Sequence, residues 1–532
     1  MNCKLLMICL LITFASCNEG EQKNNSNNPF NSEVMYHVVQ RSFYDSNGDL
    51  NGDLNGLREK LDYLQELGVT SILMLPLYES VYYHNYFSGN FEKIDPELGS
   101  MQDYLDLVKE IHRRGMKIYM DMETQYVTED HQWYKDALGN LASPYSDYIT
   151  YDDSVHKKPS TIVYDLDGLK GFDGNYRKIT TVNMNSEKVR EYNIKLFNHW
   201  VDPNGDGDFS DGVDGFRLDH MMDDLDNKGR WKNLFQNFWN PLIEKVKAVN
   251  PKIVFIAEQA NWGSLGIDYL TKTGVDRVFA FRIAFEIRNL NKKKLETMCD
   301  STFRFTPHGK NQIVFIENHD MPRFATVVKQ NPGQLRVGAA LNLLLGGIPS
   351  IYYGQEIGMT GAGGFMKYGM TDANEIPERE AFEWYQTDTG KGMAFWYKNS
   401  GPWWDSSNVK PNDGISLQEE KANANSLWHY YKQLVNYRKM DETINKGTYL
   451  TVKNNNDSVF SCLRILNDKA SLLVVNLSSQ PATANLDMQA FPFQNKLNLT
   501  FGNGIAKITE NNISISLPAY ESTVYHLLKS NK

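Results

Sequence analysis

Gly215-Phe216-Arg217-Leu218-Asp219-His220 is the stretch on which the fold turns. It is short, it lacks the in-and-out alternation of a half-buried strand, and it ends on an acid and a histidine. Strands covered on both faces, as in a parallel sheet, read this way. Moving outward, similar runs recur at Val34–Val39, Ser71–Leu75, Lys117–Met122, Ile253–Ala257, Arg277–Phe281, Ile313–Ile316 and Ser350–Tyr353. The segments between them read as helices. The clearest is Ser100–Arg114, where Ser100 and Asp103 form a capping-box pair, Tyr104, Leu107, Val108 and Ile111 form one stripe, and Gly115 ends the helix. Eight strand–helix units predict an α/β fold, a parallel (β/α)8 TIM barrel.

Two regions break the pattern. Between Met122 and about residue 185 there is no helix of useful length, but many Asp, Tyr and Gly. Structureless loops of that length are uncommon, so a small domain inserted after strand 3 is expected. After Lys446 the chain becomes β-rich, at Ser458–Leu466, Ser471–Leu477 and Ile513–Leu517, with turn signals at Asn467-Asp468 and Asn511-Asn512. This predicts a C-terminal antiparallel β-sandwich. The expected organisation is a signal peptide (1–16), a lipidated tether (17–32), the barrel (33–122 and 186–445), the inserted domain (123–185) and the sandwich (446–532).

The 532 residues are 41% hydrophobic and 23% charged, which excludes wholesale disorder. The net charge is −10 and no Lys/Arg block stands out, which argues against a nucleic-acid partner. Met1–Ser16 carries one Lys, an apolar run over Leu5–Ile12 and small residues before Cys17. That is an export signal, too short to span a membrane. Phe14-Ala15-Ser16-Cys17 resembles a bacterial lipobox, and polar Asn18–Asn28 suits a tether. The expected location is the periplasmic or cell-surface face of an outer membrane, with membrane contact only through lipid on Cys17. The alternative is a plain secretory signal. Apart from Cys17, the exported chain would keep Cys299 and Cys462, which make neither a disulfide scaffold nor a zinc cluster.

In a barrel of this kind chemistry gathers at the C-terminal strand ends. Strand four ends on Arg217-Leu218-Asp219-His220, strand five on Glu258, and strand seven on Glu317-Asn318-His319-Asp320. A single Asp in such a place is commonly a helix cap; an acid at each of three ends, with an Arg two residues before one, is not explained by capping. Glycoside hydrolysis needs two carboxyl groups across one bond: one attacks the sugar or activates water, the other protonates the leaving oxygen.

At these residues the chain resembles the α-amylase family, glycoside hydrolase family 13, from about Val34 to the C-terminus. The motifs are Tyr36-His37-Val38-Val39-Gln40-Arg41-Ser42-Phe43, Gly215–Asp219, Glu258, Asn318-His319-Asp320 and Ile351-Tyr352-Tyr353-Gly354-Gln355-Glu356. The resemblance implies Asp219 as nucleophile, Glu258 as acid/base and Asp320 as transition-state stabiliser. It implies that Arg217 supports Asp219 and belongs with the substrate-binding set, that His319 contacts the reacting sugar, and that His84 and Tyr86 lie beside it, Tyr86 stacking on the ring. On local sequence alone, core packing explains Tyr86 equally well. Asn85 replaces a family Gly between them.

Asp45-Ser46-Asn47-Gly48-Asp49-Leu50-Asn51-Gly52-Asp53 carries oxygen side chains at alternate positions, as calcium requires. It resembles the calcium loop of oligosaccharide-cleaving members, which implies Asp45, Asn47, Asp49, Asp53 and the Asn51 carbonyl as ligands. Asp202-Pro203-Asn204-Gly205-Asp206-Gly207-Asp208, leading through Asp211, resembles a second such loop. The third-strand motif departs from the family, with Gln125 and Tyr126 in place of Asn-His, and after Asp219 Met222 and Asp223 replace a Lys-His pair. The usual interdomain calcium is therefore not expected. Phe87 stands where exo-acting relatives carry Asp.

The expected function is a retaining glycosidase that cleaves α-glucosidic bonds, mainly α-1,4, in starch-like glucans or malto-oligosaccharides, acting beside other glucan-uptake proteins. A transglycosylase or isomerase of the same family, and a catalytically weakened glucan-binding lipoprotein, are the alternatives.

Overall fold

The computed structural model describes residues 32–404, 413–488, 496–509 and 512–528. The export signal and Cys17 lie outside the described residues. Eight parallel strands close into a barrel: β1 (Met35–Val38), β2 (Ser71–Met74), β3 (Lys117–Met122), β4 (Gly215–Met221), β5 (Val254–Gln259), β6 (Arg277–Phe279), β7 (Asn311–Val314) and β8 (Ile348–Tyr352). The order around the ring is β1-β8-β7-β6-β5-β4-β3-β2. Seven strands supply Met35, Leu73, Tyr119, Ile256, Phe279, Ile313 and Ile348 to one buried interior cluster, while residues such as Tyr36, Ile72, Ile118 and Phe255 pack outward under the helices. Both faces are therefore covered, which is why the strands do not alternate in polarity. Gly215 is required by contact: a Cβ there would lie 2.1 Å from the Val254 carbonyl oxygen of the neighbouring strand.

Several boundaries differ from the sequence reading. Strand 8 begins at Ile348, two residues before the expected Ser350, and includes Pro349. Strand 7 starts at Asn311 and stops at Val314, and strand 6 stops at Phe279, because Phe281 opens the helix Phe281–Asn289. An apolar run does not mark where a strand hands over to a buried helix. The helix Met101–Arg113 carries both halves of the Ser100/Asp103 capping box. The motifs at the two ends of the barrel meet: the Tyr36 hydroxyl donates to Glu356 Oε1 at 2.8 Å, tying β1 to the turn after β8.

The insertion after β3 has three short antiparallel strands, Tyr126–Thr128, Tyr176–Thr181 and Gly168–Lys170, and one short helix, Gln132–Ala137. Towards the C-terminus follow β9 (Thr448–Thr451), β10 (Val459–Leu466), β11 (Lys469–Asn476), β12 (Ala482–Leu486), β13 (Asn498–Phe501), β14 (Ile505–Thr509), β15 (Asn512–Leu517) and β16 (Ser522–Leu528). They form a five-stranded sheet (β9-β10-β11-β16-β13) and a three-stranded one (β12-β15-β14), both antiparallel, around Val452, Val474, Ile515 and Leu527. Cys299 and Cys462 are buried free thiols. Among the described residues no helix is long and apolar enough to cross a membrane.

Candidate active site

Backbone register brings the charged groups together. Arg217 on β4 stands opposite Asp121 on β3 and Ile256 on β5. The β4–β5 pairing slips between Ala257 and Gln259, so Glu258 sits at an irregularity that re-aims its side chain. One buried guanidinium then serves three carboxylates. Arg217 Nη1 donates to Asp121 Oδ2 at 2.6 Å and to Asp219 Oδ1, and Nη2 donates to Glu258 Oε2 at 2.6 Å. Removing charges from water is costly unless they are paired, and here a single cation offsets three anions. The balance leaves Asp219 well above the usual carboxylate range. Burial is the main cause, and the charges of Glu258 and Asp121 add to it against Arg217. Burial likewise pushes Asp121 up.

The other predicted residues surround one cavity of about 350 Å³, lined by His84, Tyr86, Asp219, Glu258, His319 and Asp320 among others. Tyr86 lines the cavity: its ring lies against His319 (5.5 Å, 14°), and its hydroxyl donates to Asp121 Oδ2 at 2.6 Å and stands 2.8 Å from His319 Nε2. His84 Nδ1 accepts the Tyr86 N–H at 3.1 Å. Burial, then the cationic charge of Arg379, pushes both His84 and His319 far below the ordinary imidazole range, so both are neutral. Asn85 fits in place of glycine because it adopts φ +61° and its amide reaches the Tyr78 carbonyl and Asp95. Arg217 differs from its expected grouping. It is 2% exposed and its guanidinium is fully engaged beneath the cavity floor, so it positions carboxylates rather than touching substrate.

The structure adds residues that motif reading missed. Arg379, in the long connection after β8, donates to Asp320 Oδ1 (3.0 Å), the His319 carbonyl (2.9 Å) and Tyr83 Oη (2.9 Å). Trp262 Nε1 donates to Glu258 Oε1 at 3.1 Å, so both oxygens of Glu258 are held. Gln125 presents its N–H to the carbonyls of Asp219 (2.7 Å) and His220 (3.3 Å). It is a strut behind Asp219, with a donor where a metal ligand would need an acceptor. Tyr126 donates to Asp226 Oδ1 at 2.6 Å, and His220 Nε2 lies 3.2 Å from the same oxygen. The only local signal for Asp121 was an acid ending a strand; for Arg379 and Trp262 there was none.

The two acidic loops are built alike. Asp45 accepts the N–H groups of Asn47, Gly48 and Leu50, and Asp202 those of Gly205, Asp206 and Gly207. Asn47 accepts from Asp49 N, and Asp49 from Asn51 N; Asn204, Asp206 and Asp208 accept in the same way from Asp206, Asp208 and Ser210. Asp53 is engaged elsewhere, bonding Ser46 and capping a helix through Gly56 N. Asp211 is buried with Oδ1 unpartnered; burial, Asp206 and Asp202 raise its pKa. Among the described residues no three His, Cys, Asp or Glu side chains are already gathered as a metal centre.

Comparison with known proteins agrees with this geometry. The sequence model described as "Alpha amylase, catalytic domain" matches residues 37–447. The chain is 28% identical over 494 residues to Alpha-amylase 3 of Dictyoglomus thermophilum, covering 91% of each. It is 26% identical to an oligo-1,6-glucosidase of Parageobacillus thermoglucosidasius, covering 84% of this chain and 90% of that one. The crystal structure of the α-amylase from H. orenii superposes with a TM-score of 0.76 at 26% identity, covering 93% of this chain and 99% of that one. The chain belongs to the α-amylase family of glycoside hydrolases and is an enzyme of that family.

Proposed function

We propose that the protein is a retaining glycosidase that hydrolyses α-glucosidic bonds, mainly α-1,4, in starch-like glucans or malto-oligosaccharides. The observation that carries this is the shared guanidinium: Asp219 and Glu258 lie on two arms of Arg217. Carboxyls held that way are close neighbours, which suits the ~5–5.5 Å retaining separation better than the ~6.5–9.5 Å that leaves room for an inverting water. Asp219 attacks the anomeric carbon. Glu258 gives its proton to the departing oxygen and then takes one from the incoming water. Asp320, held by Arg379, accepts sugar hydroxyls as positive charge develops at the anomeric carbon. Neutral His319 and His84 offer ring nitrogens to the same sugar, and Tyr86 supplies a face for it. The test is NMR of the first-formed anomer together with chromatography of products from starch, maltotriose, panose and cyclodextrin. An inverted anomer overturns the mechanism. Rearranged or lengthened products in place of hydrolysis overturn the hydrolase assignment in favour of a transferase or isomerase.

Calcium is proposed as a structural ion. The all-oxygen donor sets suit it, with Asp45, Asn47, Asp49 and the Asn51 carbonyl in the first loop and Asp202, Asn204, Asp206, Asp208 and Asp211 in the second. The unpartnered Asp211 oxygen beside two further acids is the feature that a cation would relieve. Asp53 closes its loop through Ser46. A chelator is expected to lower Tm by a few degrees, with recovery in excess calcium, because an ion bound only by the folded chain stabilises it. An unchanged Tm together with no calcium by elemental analysis refutes the ion.

Lipid on Cys17 is the proposed anchor to an outer membrane. Mass spectrometry of the native N-terminal peptide checks it: a diacylglyceryl mass on Cys17 is expected, and an unmodified Cys17 or another mature terminus overturns it.

A further inference from the structure

One end of the cavity is bounded by main chain. Lys170 of the inserted domain and Thr371 of the connection after β8 form a parallel β-bridge, and their neighbours Leu169 and Asp372 line the cavity. The seam is fixed from behind. The Tyr82 hydroxyl contacts the Leu169 and Arg177 carbonyls at 3.1 Å each, and the Tyr83 hydroxyl donates to the Asp372 carbonyl at 3.2 Å while accepting from Arg379. Above it Tyr164 and Phe365, 75% and 72% exposed, approach each other across the mouth with ring centroids 5.7 Å apart.

The barrel order says which end is bounded. The seam joins the insertion after β3 to the connection after β8 and is braced by Tyr82 and Tyr83 from the connection after β2, so it spans the β1–β2 side of the ring, whereas Glu258 is on β5, across from β1. A leaving group departs beside the acid that protonates it, so the bounded end faces the glycone. Past the ends of β4 and β5 lies a groove of about 490 Å³ lined by His220, Met222, Asp226, Lys228 and Ala260, with Tyr164 between it and the cavity.

Asp372 stands at the bounded end. It is 5% exposed, lines the cavity, and neither carboxylate oxygen has a hydrogen-bond partner; the nearby Phe172 N–H lies outside good geometry. Burial pushes it up to about 8, with Asp173 and Glu375 adding to the effect and Arg379 opposing it. A buried carboxyl without a partner is costly unless a ligand completes it. In an α-1,4 chain only the terminal glucose carries a free hydroxyl at the position where the next sugar would otherwise attach.

Resting on the hydrolase reading above, we propose that the enzyme is exo-acting and that Asp372 is a specificity residue that takes the free hydroxyls of the non-reducing terminal sugar. The main-chain seam leaves no passage for a further sugar, and the carboxyl satisfies itself on the terminus instead.

The experiment compares maltotriose with the same trisaccharide capped at its terminal O4 and O6 as a benzylidene acetal. Turnover is followed by chromatography, and binding to full-length Glu258→Gln by calorimetry. Free maltotriose is expected to bind and to be shortened from its non-reducing end, while the capped sugar loses ~100-fold or more in kcat/KM and in affinity. Asp372→Asn, with its Tm checked, is expected to lose about 10- to 100-fold in kcat/KM on the free sugar, the cost of mismatching one buried polar group with its hydroxyl partners. The calorimetric comparison stands even if Asp372→Asn does not fold. Equal handling of capped and free sugar, or wild-type kcat/KM in folded Asp372→Asn, overturns the exo proposal alone. Failure of both sugars to bind or react overturns it together with the hydrolase reading.

Discussion

Asp219→Asn is expected to lower kcat on malto-oligosaccharides on the order of 10⁴-fold or more, because no other group is placed to form the glycosyl bond. Glu258→Gln is expected to lose about 10²–10⁴-fold, the usual worth of general acid–base catalysis. The two should separate on a substrate with a dinitrophenyl leaving group. Its departure needs no proton, so Glu258→Gln should show a burst of dinitrophenol followed by slow turnover, whereas Asp219→Asn should show none. Both variants should keep the wild-type Tm to within a few degrees, since each substitution retains the hydrogen-bonding shape while removing one of three crowded negative charges. Near-wild-type kcat in either folded variant refutes the assignment.

Arg217→Met is expected to have the next largest effect, and on two observables. Breaking a buried ion pair by removing one partner costs about 3–5 kcal/mol, and here three carboxylates lose their cation at once. The pH dependence has a definite sign. Asp219 and Asp121 already sit above their ordinary values because of burial, and Arg217 pulls them down. Without it both rise further. Catalysis needs Asp219 ionised, so the acid limb of kcat/KM should move to higher pH. A carboxyl whose folded pKa is raised stabilises the fold below its unfolded pKa, and that stability is lost as pH rises through the folded value. The Tm deficit of Arg217→Met against wild type should therefore be small near pH 4 and widen towards pH 8. Arg217→Lys keeps the charge but not the fork, and should fall between the two. A Tm deficit independent of pH would mean that Arg217 acts by packing alone.

Much of this site was legible in the chain because it sits where regular structure stops. Asp219, Glu258 and Asp320 follow three separate apolar runs, and polar groups at the ends of buried strands are rare enough to be read from local sequence. The same logic exposed the acidic loops and the capping box at Ser100. It placed Arg217 beside Asp219, where the two are hydrogen-bonded, but not its other partners: a strand residue two positions before another shares its face, yet sequence does not say that β3 brings Asp121, and β5 Glu258, to the same guanidinium.

What the sequence by itself determined was the barrel, the insertion after its third strand, the antiparallel C-terminal part and the three acids at the rim. Each of these follows from periodicity, strand ends and turn residues within about a dozen positions. What only the tertiary structure decided was how the acids are balanced and how the cavity is bounded. Arg379 reaches Asp320 across 59 positions, Lys170 pairs with Thr371 across about 200, and Asp372 matters because nothing around it completes its carboxyl. Such groups lie in irregular connections, where no period constrains the side chain. Their roles arise from burial and from charges supplied by distant strands, quantities that exist only once the barrel has closed.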